Sequence, residues 1–137
     1  MNAETINAIR VKVSEAVKDK GGLELIWDVA PMPNKDEMFC TAVIRDNGRE
    51  LIATCGNFYD FQENGMVDIT CYMKRGEGDL YLRQAVDEIR ADLEQSDIDN
   101  VSFDNIIQDV PLEAEQTQYA IFLQVAFRAY TSRPIDN

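Results

Sequence analysis

Residues 118–130, QYAIFLQVAFRAY, constrain the fold more than any other stretch of the chain. Tyr119, Ile121, Leu123, Val125, Phe127 and Ala129 fall on one face of an alternating pattern, and Gln118, Gln124 and Arg128 fall on the other. A two-residue period belongs to a β-strand and not to a helix. A run this long would reach about 44 Å, roughly twice the usual strand. Either a bulge breaks it or one end projects from the body, where it would suit contact with a neighbour.

The remaining elements follow from similar patterns. Ile6, Ile9, Val13, Ala16 and Val17 form a stripe at helical spacing over residues 2–18, with Asn2 or Thr5 as N-cap and Gly21-Gly22 ending the helix. LELIWD, residues 23–28, alternates as a half-buried strand, and Pro31 and Pro33 then break it into a loop. Asn47-Gly48 is the preferred pair for a two-residue hairpin turn. A turn there would set Asp46 against Arg49, Arg45 against Glu50, Ile44 against Leu51 and Val43 against Ile52. Residues 57–65, NFYDFQENG, read as an aromatic-rich loop, and residues 66–74 as another strand. Leu82, Val86, Ile89 and Leu93 stripe a second helix over residues 79–95. VSFDNII, residues 101–107, reads as a weaker strand, and QDVPLEAEQT, residues 108–117, as a polar loop. The expected order is α-β-β-β-β-α-β-β in a single domain, 1–137. The class is α+β, a mainly antiparallel sheet with two helices packed on one face. The other face, with Phe122, Ala126 and Tyr130 among polar neighbours, is expected to be half exposed.

Composition removes several classes of function. No apolar run approaches the about 20 residues that span a bilayer, and the start MNAETINAIRVK has no apolar signal core. The expected setting is therefore cytosol-like, with no membrane partner. The chain has no histidine, which excludes Ser-His and Cys-His nucleophile pairs and imidazole acid-base catalysis. Its three cysteines, Cys40, Cys55 and Cys71, show no Cys-x-x-Cys spacing and read as small core residues, not zinc ligands. Carboxylate chemistry has no distinguishing motif among twenty-five acidic residues. No cofactor and no enzymatic activity are expected.

Net charge is −12, and residues 79–115 hold eleven acidic residues against Arg83 and Arg90. That region would repel duplex DNA. The simpler reading of the charge is a solvated acidic surface.

Three stretches merit weighing as sites. GEGDLYLRQ, residues 76–84, follows a strand and opens a helix as phosphate loops do. However, Tyr81 stands where a dinucleotide fingerprint needs glycine, and Glu77 and Asp79 occupy the anion's place. The loop turns a corner. Glu94, Asp97 and Asp99 gather at a helix end whose dipole disfavours them; fraying or a basic loop would absorb this, or the acids meet a basic partner or line a channel. Phe58, Tyr59 and Phe61 cap the edge of the core, or anchor another subunit together with the sheet-face residues Phe122 and Tyr130.

The layout resembles the tail terminator, or tail completion, proteins of long-tailed bacteriophages. The resemblance rests on an N-terminal helix, a strand ending in WDVAPMP (residues 27–33), the segment GMVDITCYMKRGEGDLYLRQAVDEI (residues 65–89) and the late strand YAIFLQVAFRAY (residues 119–130). It implies a structural virion protein at the head-proximal end of the tail, assembled in the host cytoplasm. It implies a homo-oligomeric ring, a hexamer, that caps the tail tube protein, stops tube polymerisation and presents a surface to the head-tail connector protein. DNA would pass through the ring without specific binding, and Glu94, Asp97 and Asp99 would be candidates for an acidic lumen. The family carries no catalytic residues to transfer. Alternatives are another ring-forming neck or tail-completion component, a small cytosolic ligand-binding α+β domain, and an acidic mimic of DNA. A deep pocket would favour the ligand-binding domain; a flat, half-apolar sheet face would favour assembly.

Overall fold

A computed structural model describes residues 1–27, 38–74, 80–94, 96–98, 100–104, 108–115 and 118–134. It is an α+β fold in which one seven-stranded, mainly antiparallel sheet carries its helices on one face. The loop over residues 75–79, which includes Gly76 and Gly78, lies outside the described residues, as does Asp99.

Helix α1 (Ala3–Ser14) begins at Asn2, whose side chain accepts a 2.8 Å hydrogen bond from the Thr5 N–H. That contact satisfies one of the donors that a helix start leaves open. Its last stretch, Glu15–Lys20, widens into a π-helix, and the Gly21 N–H reaches back 2.9 Å to the Ala16 carbonyl. Helix α2 spans Leu80–Leu93. Lys12 Nζ and Asp92 Oδ2, 3.1 Å apart and mostly buried, join the two helices.

The strands are β1 (Glu24–Trp27), β2 (Phe39–Cys55), β3 (Phe58–Lys74), β4 (Asp97–Ile98), β5 (Val101–Phe103), β6 (Gln108–Glu115) and β7 (Gln118–Pro134). Their order is β1-β2-β3-β7-β5-β4, with β6 pairing farther along β7. Among the described strands, only the β1–β2 pair is parallel. Alternation along β3 and β7 puts Val67, Ile69 and Cys71 beside Val125, Leu123 and Ile121 on the helix side. Ile9, Val13, Val17, Leu82, Val86, Ile89 and Leu93 pack over this surface to make one core. On the opposite face Phe122 and Ala126 are half-buried and Tyr130 is exposed, matching the half-exposed sheet face that the sequence suggests.

Three local expectations are corrected. The hairpin turn is not at Asn47-Gly48 but at Gly56-Asn57, where Gly56 supplies a φ of 58° and Cys55 faces Phe58. Asn47-Gly48 sits in mid-strand as a β-bulge, between the Asp46–Gly65 and Arg49–Glu63 pairs, with Gly48 at φ 112°. The reason is burial. The long hairpin sets Cys40, Ala42 and Ile44 against Cys71, Ile69 and Val67 on the core side, whereas a turn at 47–48 would offer Ile44 only the neighbours Leu51 and Ala53. Residues 58–65 are accordingly the first half of β3 and not a loop, held between β2 and β7. Residues 108–115 are strand β6 and not a polar loop, because the unpaired edge of β7 from Ala120 to Gln124 gives their backbone a ladder.

Candidate functional site

The β3–β7 ladder runs from Phe58–Pro134 to Lys74–Gln118 without a register shift. A strand of this length outruns the helices that cover it. The helix layer ends at Met1, whose ammonium lies 3.1 Å from Asp46 and 3.5 Å from Glu63. Past that point β2, β3 and the end of β7 continue together as a three-stranded arm. Among the described side chains of residues 43–62, none is buried.

The arm is apolar at several exposed points. Leu51 is 52% exposed, Ile52 48%, Phe58 48% and Tyr130 40%, exposures that mark them as surface in spite of their type. Leu51 and Phe61 are cross-strand partners on the helix side, with Tyr59 two residues farther along the same face. The Tyr59 and Phe61 rings lie 6.3 Å apart. On the other face Tyr130 pairs with Gln62, and Phe58 stands at the tip. The Ser132 hydroxyl donates a 2.5 Å hydrogen bond to Asp60, and the Tyr130 N–H donates to the Asn100 carbonyl at 3.0 Å. Of the five aromatic candidates, Phe58, Tyr59, Phe61 and Tyr130 therefore belong to the arm. Phe122 lies apart, paired with Thr70 and Val110 in the body of the sheet.

The arm also carries unpaired backbone. β1 covers β2 only from Phe39 to Ala42. Among the described residues, the edge of β2 beyond Ala42 has no strand beside it. On the far side, among the described residues, β5 pairs with β7 at residues 127–129 and Asn100 bonds both backbone groups of Tyr130, so the edge is without a strand from Thr131 on. Open edges of this kind attract further strands unless they are blunted. No local sequence signal marked the β2 edge, because the turn at 47–48 would have used it internally.

Of the acidic candidates, Glu94 and Asp97 are described. Glu94 lies 3.7 Å from Arg90, which also holds Asp87 at 3.0 Å. Asp97 is exposed on the two-residue strand β4, opposite Ser102. Ser96 closes the helix end by donating a 2.7 Å hydrogen bond to the Leu93 carbonyl.

Among the described residues, three surface concavities are grooves. One follows α1 along Arg10, Val11, Ser14 and Lys18, another lies between Gly22, Met38, Tyr81 and Ala85, and a third is bounded by Met1, Ile6, Arg10, Ile44 and Asp46. Among the described residues, no three His, Cys, Asp or Glu side chains gather as a metal site, and no helix is long and apolar enough to cross a membrane. Trp27 is half-buried against the core, with its indole N–H 3.4 Å from Ser14 Oγ and Arg10 over its ring at 5.1 Å.

No family model matches the chain, and no curated protein matches it. Nineteen chains of solved structures do match. One of these, whose name carries no functional description, has a TM-score of 0.59 over 90% of this chain and 94% of its own, at 13% identity. A likeness at that identity shows a shared fold.

Proposed function

We propose that this chain is a tail terminator of a long-tailed bacteriophage, a structural protein that closes the tail tube as a homo-oligomeric ring. The ring ends tube polymerisation and offers the joining surface for the head-tail connector. The observation that carries the reading is the three-stranded arm. Its exposed Leu51, Phe58 and Tyr130, the half-buried Phe61 beside them, and the edges that no described strand covers are a surface that another subunit would complete. Asp97, exposed just past the end of α2, is available to a DNA channel, where like charge would keep the duplex from adhering.

The test is deletion of the gene from its source phage or prophage, with particles imaged by electron microscopy. Overlong or irregular tails apart from DNA-filled heads are expected. Tails of normal length left unjoined would point to another neck or tail-completion ring component. Normal particles would end the reading.

A further inference from the structure

Among the described residues the β2 edge beyond Ala42 is open, and its sequence is self-complementary. The register that would pair Asp46 with Arg49, Arg45 with Glu50 and Ile44 with Leu51 is not used inside the chain, where these residues face β3 instead. We propose that a second copy of this chain uses it. Two β2 edges lie antiparallel about a two-fold axis between Asn47 and Gly48, over residues 43–52 of each copy.

The bulge makes this register possible. Antiparallel strands related by a two-fold axis must set residues of the same sheet face opposite each other. In a regular strand that condition pairs even numbers with even and odd with odd. The extra residue at Asn47-Gly48 inverts the alternation, so Ile44, Asp46, Arg49 and Leu51 all share the helix side through their partners Val67, Gly65, Glu63 and Phe61. Arg45 and Glu50 share the other side through Met66 and Gln62. Each proposed pair is therefore face-matched: Asp46–Arg49 and Ile44–Leu51 on one side, Arg45–Glu50 on the other. The paired length also fits, since it stops at Val43, just where β1 begins to cover the edge.

The groove bounded by Met1, Ile6, Arg10, Ile44 and Asp46 supplies the third element. In this register Leu51 of the second copy stands beside Ile44, at the mouth of that groove. Its 52% exposure in the single chain is removed there. Arg49 of the second copy comes beside Asp46 on the same face, and Glu50 beside Arg45, which keeps its 2.6 Å contact with Asp68. Main-chain hydrogen bonds supply the association, and the alternating side-chain pairs fix its register. The interface is small and closed, so a weak dimer of the free protein is expected. It differs from a cyclic ring and does not rest on the tail-terminator reading.

Sedimentation equilibrium of the full chain should show a monomer–dimer equilibrium with a dissociation constant of roughly micromolar order. Glu50→Arg, a change at an exposed position, should weaken the dimer at least about fivefold, because it places two like-charge pairs across the axis. Register is tested by cross-linking in a Cys55→Ser background. Ile44→Cys and Leu51→Cys proteins should form a disulfide-linked dimer when mixed under mild oxidation, and neither should do so alone. A monomer at all concentrations overturns the proposal. So does equal cross-linking of the separate variants, or dimerisation that Glu50→Arg leaves unchanged. A hexamer lacking the 44–51 link would remove the two-fold pairing and leave the ring reading standing.

Discussion

Arg49 holds its guanidinium 4.2 Å from the centre of the Phe61 ring, across the β2–β3 ladder and beyond the last residue that the helices cover. The contact lies in the arm, where water screens the charge. A cation–π pair at such a site contributes about 0.5–1 kcal/mol. A double-mutant cycle with Arg49→Ala and Phe61→Leu, read by urea unfolding, should give a coupling of that size. A coupling several times larger would mean that the arm is part of the cooperative core.

The contrast between arm and body can be read from two aliphatic residues. Ile69 is fully buried between Ala42 and Leu123, whereas Leu51 is half exposed. Ile69→Ala should cost about 2–5 kcal/mol, since it removes buried carbons and leaves a cavity. Leu51→Ala should cost less than about 1 kcal/mol in the monomer. Equal losses would refute the division of the sheet into a packed body and an uncovered arm.

Gly65 lies where that division falls. A Cβ there would meet the Phe127 ring and come within 2.5 Å of the Arg45 carbonyl oxygen. Gly65→Ala should therefore destabilise by about 1–3 kcal/mol or more. Phe127→Leu in the same chain should restore only part of the loss, because the backbone oxygen cannot be trimmed. Full rescue by the second change would show that the ring alone sets the limit.

How much of this was legible in the sequence depended on whether the deciding contacts were local. The alternation from Tyr119 to Ala129 and the stripes of α1 and α2 each carry their own period, and the α+β class followed from them. The length of β7 alone required either a bulge or a projecting end, and the unbroken ladder decides for the second. The hairpin was misplaced because Asn47-Gly48 and its flanking pairs are locally self-consistent, while the ladder that wins joins Cys40 to Cys71 across thirty residues of chain. The aromatic segment at residues 58–61 seemed irregular for the same reason. Its partners, Thr131 to Pro134 on β7, are distant in sequence. The candidate surface was thus half visible: Phe58, Tyr59, Phe61 and Tyr130 were found by residue type, but the open β2 edge beside them was hidden by the presumed turn.

Asp46 gives a pH dependence. The Gly48 N–H, 2.9 Å from its carboxylate, holds it below the ordinary 3.8; burial opposes this, and the Met1 ammonium adds to it. A carboxyl with a depressed folded-state pKa contributes stability that is fully present above the unfolded value and lost as pH falls through the folded one. The stability difference between the natural chain and Asp46→Asn should therefore be largest near about pH 6 and shrink below about pH 4. Urea midpoints measured in parallel for the two proteins would check it. A difference that grows on acidification would reverse the assignment.

Cys40 and Cys71 face each other across β2 and β3, both fully buried, with their sulfurs 2.7 Å apart. Burial, with the Cys71 sulfur adding to it, pushes the Cys40 thiol well above the ordinary 9.0. The nucleophilic form of a thiol is the thiolate, so desolvation silences this residue both by access and by ionisation. In a Cys55→Ser background, an aromatic disulfide reagent at about pH 8 should titrate no thiol in the folded protein and two after denaturation. Reaction in the folded state should occur only at the rate at which the sheet opens, and should slow when urea is withdrawn. Rapid labelling of one thiol without denaturant would mean that β2 and β3 separate locally near Cys40, which the continuous ladder from Phe39–Tyr72 to Asp46–Gly65 argues against.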